Sequence, residues 1–486
     1  MLLSILIFAL FLRLINLNQS FWLDEAVQAL TSQGSLSNLL SELRGDFHPP
    51  LYHLFIWLWS HFFGSSEVIL RLPSVLFGVG TVWLVYKIGL EISSYKFSIF
   101  NFQFSTASVA ALLLATAPYH IYYSQEARMY VMVTFFAGLS IWIFTKVIGC
   151  QPADYRKKQS LTVGYVLATT ALLYTDYYGF FILLAQGLIA IFAKKRFLLR
   201  DFFIPWLLFI PWLPFFFIQL RVGRAAVLFL PGWGRLVNLS FFKALPLTFI
   251  KFAIGRITIF NKNIYGFFIG ILLLVYGKII VTGILSSKKF VVNSINFVIL
   301  SWLSLPILIA WLVSSLIPNY QPFRLLLCLP AFYLLLAIGI IQTKNSKIRI
   351  IALVLVLSVN LVSLAVYYFN PHFQREDWRG VTRFIKSQEN SVAVLPSATS
   401  AWPWQYYAKQ QGKLISVSEK VKPIENREID NLPVSEFTDK EVYYIRYLVP
   451  LFDPQERIDL WLKRLGFAKI REISFNQIPV WEYGKL

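Results

Sequence analysis

Four ionisable side chains stand in two short stretches near the N-terminus: Asp24 and Glu25 in FWLDEAVQAL (Phe21 to Leu30), and Asp46 and His48 in RGDFHPPLYHLFIWLW (Arg44 to Trp59). A carboxylate held beside a hydroxyl can take its proton as a general base. Oxygen and imidazole donors of this kind also suit a divalent metal. On the residues alone two readings stay open: solvated loop groups, the usual fate of a carboxylate, or a site at an apolar boundary. No tight ligand spacing joins the four, and His53, His61, His120 and His372 read as interfacial or loop histidines. No obligatory metal is therefore expected, with a divalent cation as an optional ligand.

The elements that must position these groups belong to a membrane. Of 486 residues, 57% are hydrophobic and 14% charged, and mean hydropathy is +0.60, where a soluble chain carries roughly 25% charged residues. Apolar runs near 2–17, 68–90, 104–123, 129–149, 160–175, 177–193, 202–220, 264–284, 291–317, 324–343 and 348–369 predict about eleven spans. The first, short and without a basic leader or small-residue cleavage site, reads as a retained helix rather than a signal peptide. Cys150 and Cys328 read as unpaired membrane cysteines. With the N-terminus in the cytoplasm, the loops bearing Lys96, Arg156 to Lys158, Lys194 to Arg200, Lys288 with Lys289, and Lys344 with Lys347 all stay inside, as cationic loops tend to. Residues 18–67, 124–128, 176, 221–263, 318–323 and everything after about 370 then face outward, in the plasma (inner) membrane of the cell.

Within the first outer segment, Leu51, Leu54, Phe55 and Leu58 repeat at helical spacing after Pro49 and Pro50, and the pattern stops at Gly64. Pro suits a first helical turn. Thirteen residues reach only about 20 Å, so this helix is expected to lie in the interface, anchored by Trp57 and Trp59. AVQAL after Asp24 reads as a similar short helix. Beyond Pro371, SVAVLP (391–396) and EVYYIRYLV (441–449) read as strands, and 377–387 and 454–466 as helices. The division expected is a membrane domain over 1–369 and a small outer α/β domain over 370–486.

FWLDEA, D-x-HPPLY (46–52), RLPS (71–74), YYSQEARMY (122–130), YTDYYG (174–179), Pro322-x-Arg324 and EDWRGV (376–381) occur in that order. The ordered set resembles the GT-C membrane glycosyltransferases of the family 39 and RgtA/B/C/D-like type, related to protein O-mannosyltransferases and to the enzyme that adds aminoarabinose to lipid A. The resemblance implies a polytopic α-helical GT-C body that moves a sugar from a polyprenyl phosphate to an acceptor hydroxyl, on a lipid, glycan or protein, at the outer face with inversion. A phosphate leaves as a stable anion, so a single base for the incoming hydroxyl suffices. Asp24 matches the family's catalytic aspartate. Glu25, turned about 100° from it on a helix, is assigned to positioning Asp24 or the acceptor. The resemblance places Asp46, His48, Tyr52, Glu126, Arg128, Tyr130 and Arg324 at the substrates, the two arginines at the donor phosphate, where charge stabilisation counts most. An arginine at a span end can equally snorkel to headgroups. Relatives carry Arg-Tyr where this chain has Arg324-Leu325, and many carry His where it has Asp176.

Residues 221–263 hold Arg221, Arg224, Arg235, Lys243, Lys251, Arg256 and Lys262 with no acid. They read as a long outer loop, a surface for lipid headgroups or for an anionic substrate. The net charge of +20 is spread over loops without a recognisable nucleic-acid module, so no nucleic-acid partner is expected. The rival function is a transporter or flippase of a lipid-linked sugar. Transporters concentrate ionisable groups and broken helices near the bilayer midplane, whereas the acids here gather outside the spans.

Overall fold

The computed structural model describes the chain except for residues 93–95, 100–101, 150–154, 195–196, 231, 259–260, 287–293, 410 and 486. Cys150, Lys195, Arg196, Lys288 and Lys289 therefore lie outside the described residues; Cys328 is a free, buried thiol. The protein is a mostly helical integral membrane body with a small sheet domain. Among the described residues, seven helices are long and apolar enough to cross a bilayer: Glu67–Ile92, Tyr130–Gly149, Arg200–Phe229, Lys262–Leu285, Ile295–Val313, Pro322–Gln342 and Ser346–Phe369. Leu2–Leu14, Thr106–Ala115 and Gly179–Phe192 are apolar but shorter.

The run expected over 104–123 is two helices because Pro118, with no N–H to donate, opens a new one after the first ends at Ala115. Pro322–Gln342 is almost wholly buried, while Lys262–Leu285 turns Phe267, Leu274 and Leu285 outward, as a lipid-facing helix should. These two approach so closely that a Cβ on Gly339 would run into the Ile279 carbonyl, which only glycine avoids.

The N-terminal elements build a platform beneath the sheet domain. Helix α1 (Leu2–Leu14) ends in Arg13, which is buried. It donates to the Ala9 and Ala115 carbonyls and to Ser124 Oγ, and its Nη2 lies 2.8 Å from His120 Nδ1. His120 is thus a core residue rather than an interfacial one. Helix α2 (Leu23–Gln33) carries Asp24 and Glu25 in its first turn, where the unsatisfied N–H groups favour negative charge. After α3 (Leu36–Glu42) comes α4 (Leu51–Phe63), entered from Pro50 and closed by Gly64 at φ +92°, as the spacing predicts. Its tryptophans, however, serve internal contacts: Trp57 Nε1 donates to the Gly34 carbonyl and Trp59 Nε1 to the Ile69 carbonyl of α5 (Glu67–Ile92).

The segment expected as an outer loop over 221–263 is largely helical. Leu213–Phe229 carries Arg221 and Arg224, and Phe241–Ile254 buries Ala244, Thr248, Phe252 and Ala253 against the body. Interspersed lysines depress its hydropathy, but FFKALPLTFIKFAI still presents an apolar face at helical spacing.

The C-terminal segment forms a five-stranded sheet. With the hairpin Lys96–Ile99 and Phe102–Ser105 as β1 and β2, its strands are β3 (Ser391–Ser397), β4 (Leu414–Ser418), β5 (Glu441–Ile445), β6 (Phe467–Phe475) and β7 (Ile478–Lys485), in the order β4-β3-β5-β7-β6. β3 runs parallel to β4 and β5, and β7 antiparallel to β5 and β6. Two of the expected strands are β3 and β5; the expected helices are Trp378–Lys386 and Arg457–Arg464. The domain docks directly on the platform: the Phe21 N–H donates to Tyr407 Oη, whose hydroxyl donates to Glu67. Tyr406 reaches the Ser65 carbonyl, and Leu23 packs among Trp378, Trp404 and Tyr447.

Candidate active site

The turn between α7 (Pro118–Ser124) and α8 (Tyr130–Gly149), with α6 (Thr106–Ala115) behind it, carries Glu126 and Arg128. Side chains distant in sequence hold it. Gln125 donates to the Arg13 and Ile15 carbonyls, the Ala127 N–H donates to Glu25 Oε1 at 2.8 Å, and Arg375 Nη1 donates to Glu126 Oε2 at 2.7 Å. Arg128, 8% exposed, then reaches Asp24, with Nη2 3.4 Å from Oδ2. Burial alone would lower the guanidinium pKa, but Asp24, Tyr130, Asp46 and Glu126 act together to hold it above its ordinary value. It is a fixed cation.

Asp24 and Glu25 part company here. The Asp24 side chain is 37% exposed. Glu25 is fully buried; both its oxygens are taken by Arg71, Oε1 to Nε at 2.8 Å and Oε2 to Nη2 at 2.6 Å. Burial would raise the Glu25 carboxyl, but Arg71 holds it below its usual range. Arg71 also donates to the carbonyls of Leu17, Gln19 and Ser20, fixing the chain just before α2. Glu25 therefore ties α2, α5 and the Arg128 turn into one unit. Glu126, its Oε1 buried without a partner, is pushed up by burial, an effect that Arg375 only partly offsets.

Asp46 and His48 lie beside Arg128: the charges of Arg128 and Asp176 both act on His48. Asp46 Oδ1 is 3.0 Å from His48 Nδ1, and its Oδ2 is 3.0 Å from Nε2 of His53 on α4. Burial would raise the Asp46 carboxyl, but His53 and His48 hold it well below its usual range. Tyr52 is buried on the same helix. Tyr130 stacks edge-on with Phe323, centroids 5.1 Å apart, and the next residue, Arg324, lies over the Tyr178 ring at 6.0 Å. Among the described residues Arg324 has no carboxylate within ion-pair distance. Asp176 receives the Tyr178 N–H on Oδ1, while its buried Oδ2 has no partner.

Four residues that serve this region were not singled out from sequence: Arg71, His53, Arg375 and Glu376. All four sit within or beside the motifs RLPS, D-x-HPPLY and EDWRGV. Glu376 receives Trp378 Nε1 and the Tyr447 hydroxyl. Burial, with Asp24 adding, pushes its carboxyl up to about 7. The C-terminal segment thus brings a second carboxyl group close enough for the charge of Asp24 to act on it.

Against known proteins the resemblance lies in structure. Neither a family model nor a curated protein matches the chain. It superposes on ArnT from Cupriavidus metallidurans, solved bound to undecaprenyl phosphate, with a TM-score of 0.51 at 12% identity, covering 99% of this chain and 97% of that one. It superposes on the Archaeoglobus fulgidus oligosaccharyltransferase, solved with Zn and sulfate, with a TM-score of 0.54 at 12% identity, covering 97% and 72%. The chain has the GT-C fold. At this identity the likeness concerns the path of the chain, so the roles of the side chains rest on the geometry above.

Proposed function

We propose that the protein is an inverting glycosyltransferase that takes a sugar from a polyprenyl phosphate and passes it to an acceptor hydroxyl at the outer face of the plasma membrane. The observation that carries this reading is the Asp24–Arg128 pair. Of two adjacent carboxylates on α2, one is buried and doubly bonded, and the other is left open to solvent beside a fixed arginine. Asp24 is the base: it takes the proton of the acceptor hydroxyl as the oxygen attacks the anomeric carbon. The sugar–phosphate bond breaks as the new C–O bond forms on the opposite face, and the phosphate departs with its electron pair.

Arg128 and Arg324 neutralise that phosphate. Arg324, without a carboxylate of its own among the described residues, is suited to a ligand anion. Binding of undecaprenyl phosphate by ArnT supports a lipid-linked donor. Asp46, His48, Tyr52, Glu126 and Tyr130 shape the donor side, and the acceptor is a lipid, glycan or protein. The membrane body over 1–369 holds the site, and the outer domain over 370–486 covers its acceptor side.

If Arg128 serves the donor phosphate, Arg128→Ala should raise the KM for a purified polyprenyl-phosphate sugar well above any change in acceptor KM, and Lys should restore only part of the loss, lacking the planar fork. Unchanged donor kinetics would leave Arg128 a structural partner of Asp24.

Orientation has its own check. Ser160 and Ser435 are both exposed and lie on opposite sides in this reading. Cysteines placed there in a Cys328→Ser, Cys150→Ser background should label oppositely in intact cells with an impermeant thiol reagent, only the one at 435 reacting. Labelling of both from outside would overturn the external site.

A further inference from the structure

We propose that Asp46, His48 and His53 form a binding site for one divalent transition-metal ion of the zinc type, clamping the loop before α4 to the helix itself. One carboxylate and two imidazoles meet there, with a donor atom from each lying within 4.8 Å of the others. The loop carries two of the donors and α4 the third, so a bound ion would cross-link segments joined only through Pro49 and Pro50.

The two histidines are each 5% exposed. His53 Nε2 stands 3.0 Å from Asp46 Oδ2, yet it is not aligned as a hydrogen bond and is otherwise unpartnered; His48 Nε2 is buried without a partner as well. A close but misaligned N···O pair is what two ligands pointing at a common third atom produce. With metal–ligand bonds of about 2.0–2.1 Å, neighbouring ligand atoms in a tetrahedral site are roughly 3.3 Å apart, so the two 3.0 Å separations need to open only a little.

Donor chemistry narrows the ion. Two nitrogens and one oxygen favour Zn²⁺ or Co²⁺ over Mg²⁺ or Ca²⁺, which prefer all-oxygen shells. To hold the ion, His48 would present the lone pair of Nδ1 and His53 that of Nε2, each ring carrying its proton on the other nitrogen. The Phe47 N–H, which donates to Asp46 Oδ1, steadies the carboxylate as outer-shell partners do. Asp46 and Asp176 bring negative charge to the neighbourhood against the ion and Arg128. Sequence spacing hid this set because positions 46, 48 and 53 bridge a Pro-Pro break.

The test uses full-length protein with any polyhistidine tag removed. After loading with Zn²⁺ and gel filtration, elemental analysis should find about one metal per chain, and Co²⁺ loading should give the visible d–d bands of a tetrahedral site. His53→Gln and Asp46→Asn should each cut retained metal at least ~10-fold, while Asp24→Asn, outside the set, should retain it fully. Wild type that holds less than about a tenth of an equivalent, or His53→Gln that binds like wild type, would overturn the site and leave a hydrogen-bonded triad. Should both variants fail to fold, the stoichiometry and Co²⁺ spectrum of the wild type decide. Metal content is read without substrate, so failure here leaves the transfer reading untouched.

Discussion

Asp24→Asn is expected to lower sugar transfer by the ~10²–10⁴-fold typical of a lost general base, with the donor still bound and the protein still folded. The substitution keeps the shape of the side chain while removing its lone-pair basicity. Among the described residues its one ion-pair partner within 4 Å, Arg128, sits 3.4 Å away and is also acted on by Asp46 and Glu126, so Arg128 keeps other counter-charges. Initial rates with purified donor and acceptor, set beside lipid-donor binding and thermal unfolding, separate the outcomes. Transfer at the wild-type rate would remove Asp24 from the chemistry.

One residue further on, the expected result inverts. Glu25→Gln should destabilise the fold by the ~3–5 kcal/mol that follows when one member of a buried ion pair is removed, because Arg71 stays buried with its charge uncompensated. Thermal unfolding in detergent should show a markedly lower Tm, whereas the Asp24 variant should match wild type. The pairing also has a pH signature. The Glu25 carboxyl is held below its ordinary 4.5, so the stabilisation is complete above that value and is lost as pH falls below it through the lower folded-state pKa. Glu25→Gln should lack that acid limb. A variant with unchanged Tm but lost transfer would make Glu25 a participant in the chemistry.

Much of this was legible before any coordinates. The apolar runs, the short α4 between Pro50 and Gly64 and two strands after residue 370 follow from local pattern; the grouping of Asp24, Asp46, His48 and Arg128 is what the family resemblance implies. What local pattern could not carry is pairing across long separations. Glu25 meets Arg71 and Ala127, and Glu126 meets Arg375, 249 positions away; nothing in the immediate neighbours of these residues encodes the partner. His53 was passed over because Leu51, Leu54, Phe55 and Leu58 dominate the periodic signal of its helix. The helical residues within 221–254 read as loop because basic residues lower hydropathy without breaking helical spacing.

The bond from Arg375 to Glu126 fixes an order of events in the making of the protein. The chain emerges from its N-terminus, so α2, the Arg128 turn and most of the spans are synthesised before residues 375–379, which tie down Glu126, Ser20 and Glu67, exist. Until then Glu126 lacks the cation that holds it. If Asp24 and Arg128 act as proposed, competence comes last in biogenesis: a nascent chain stalled before residue 375 could not act early on lipid-linked sugars around it.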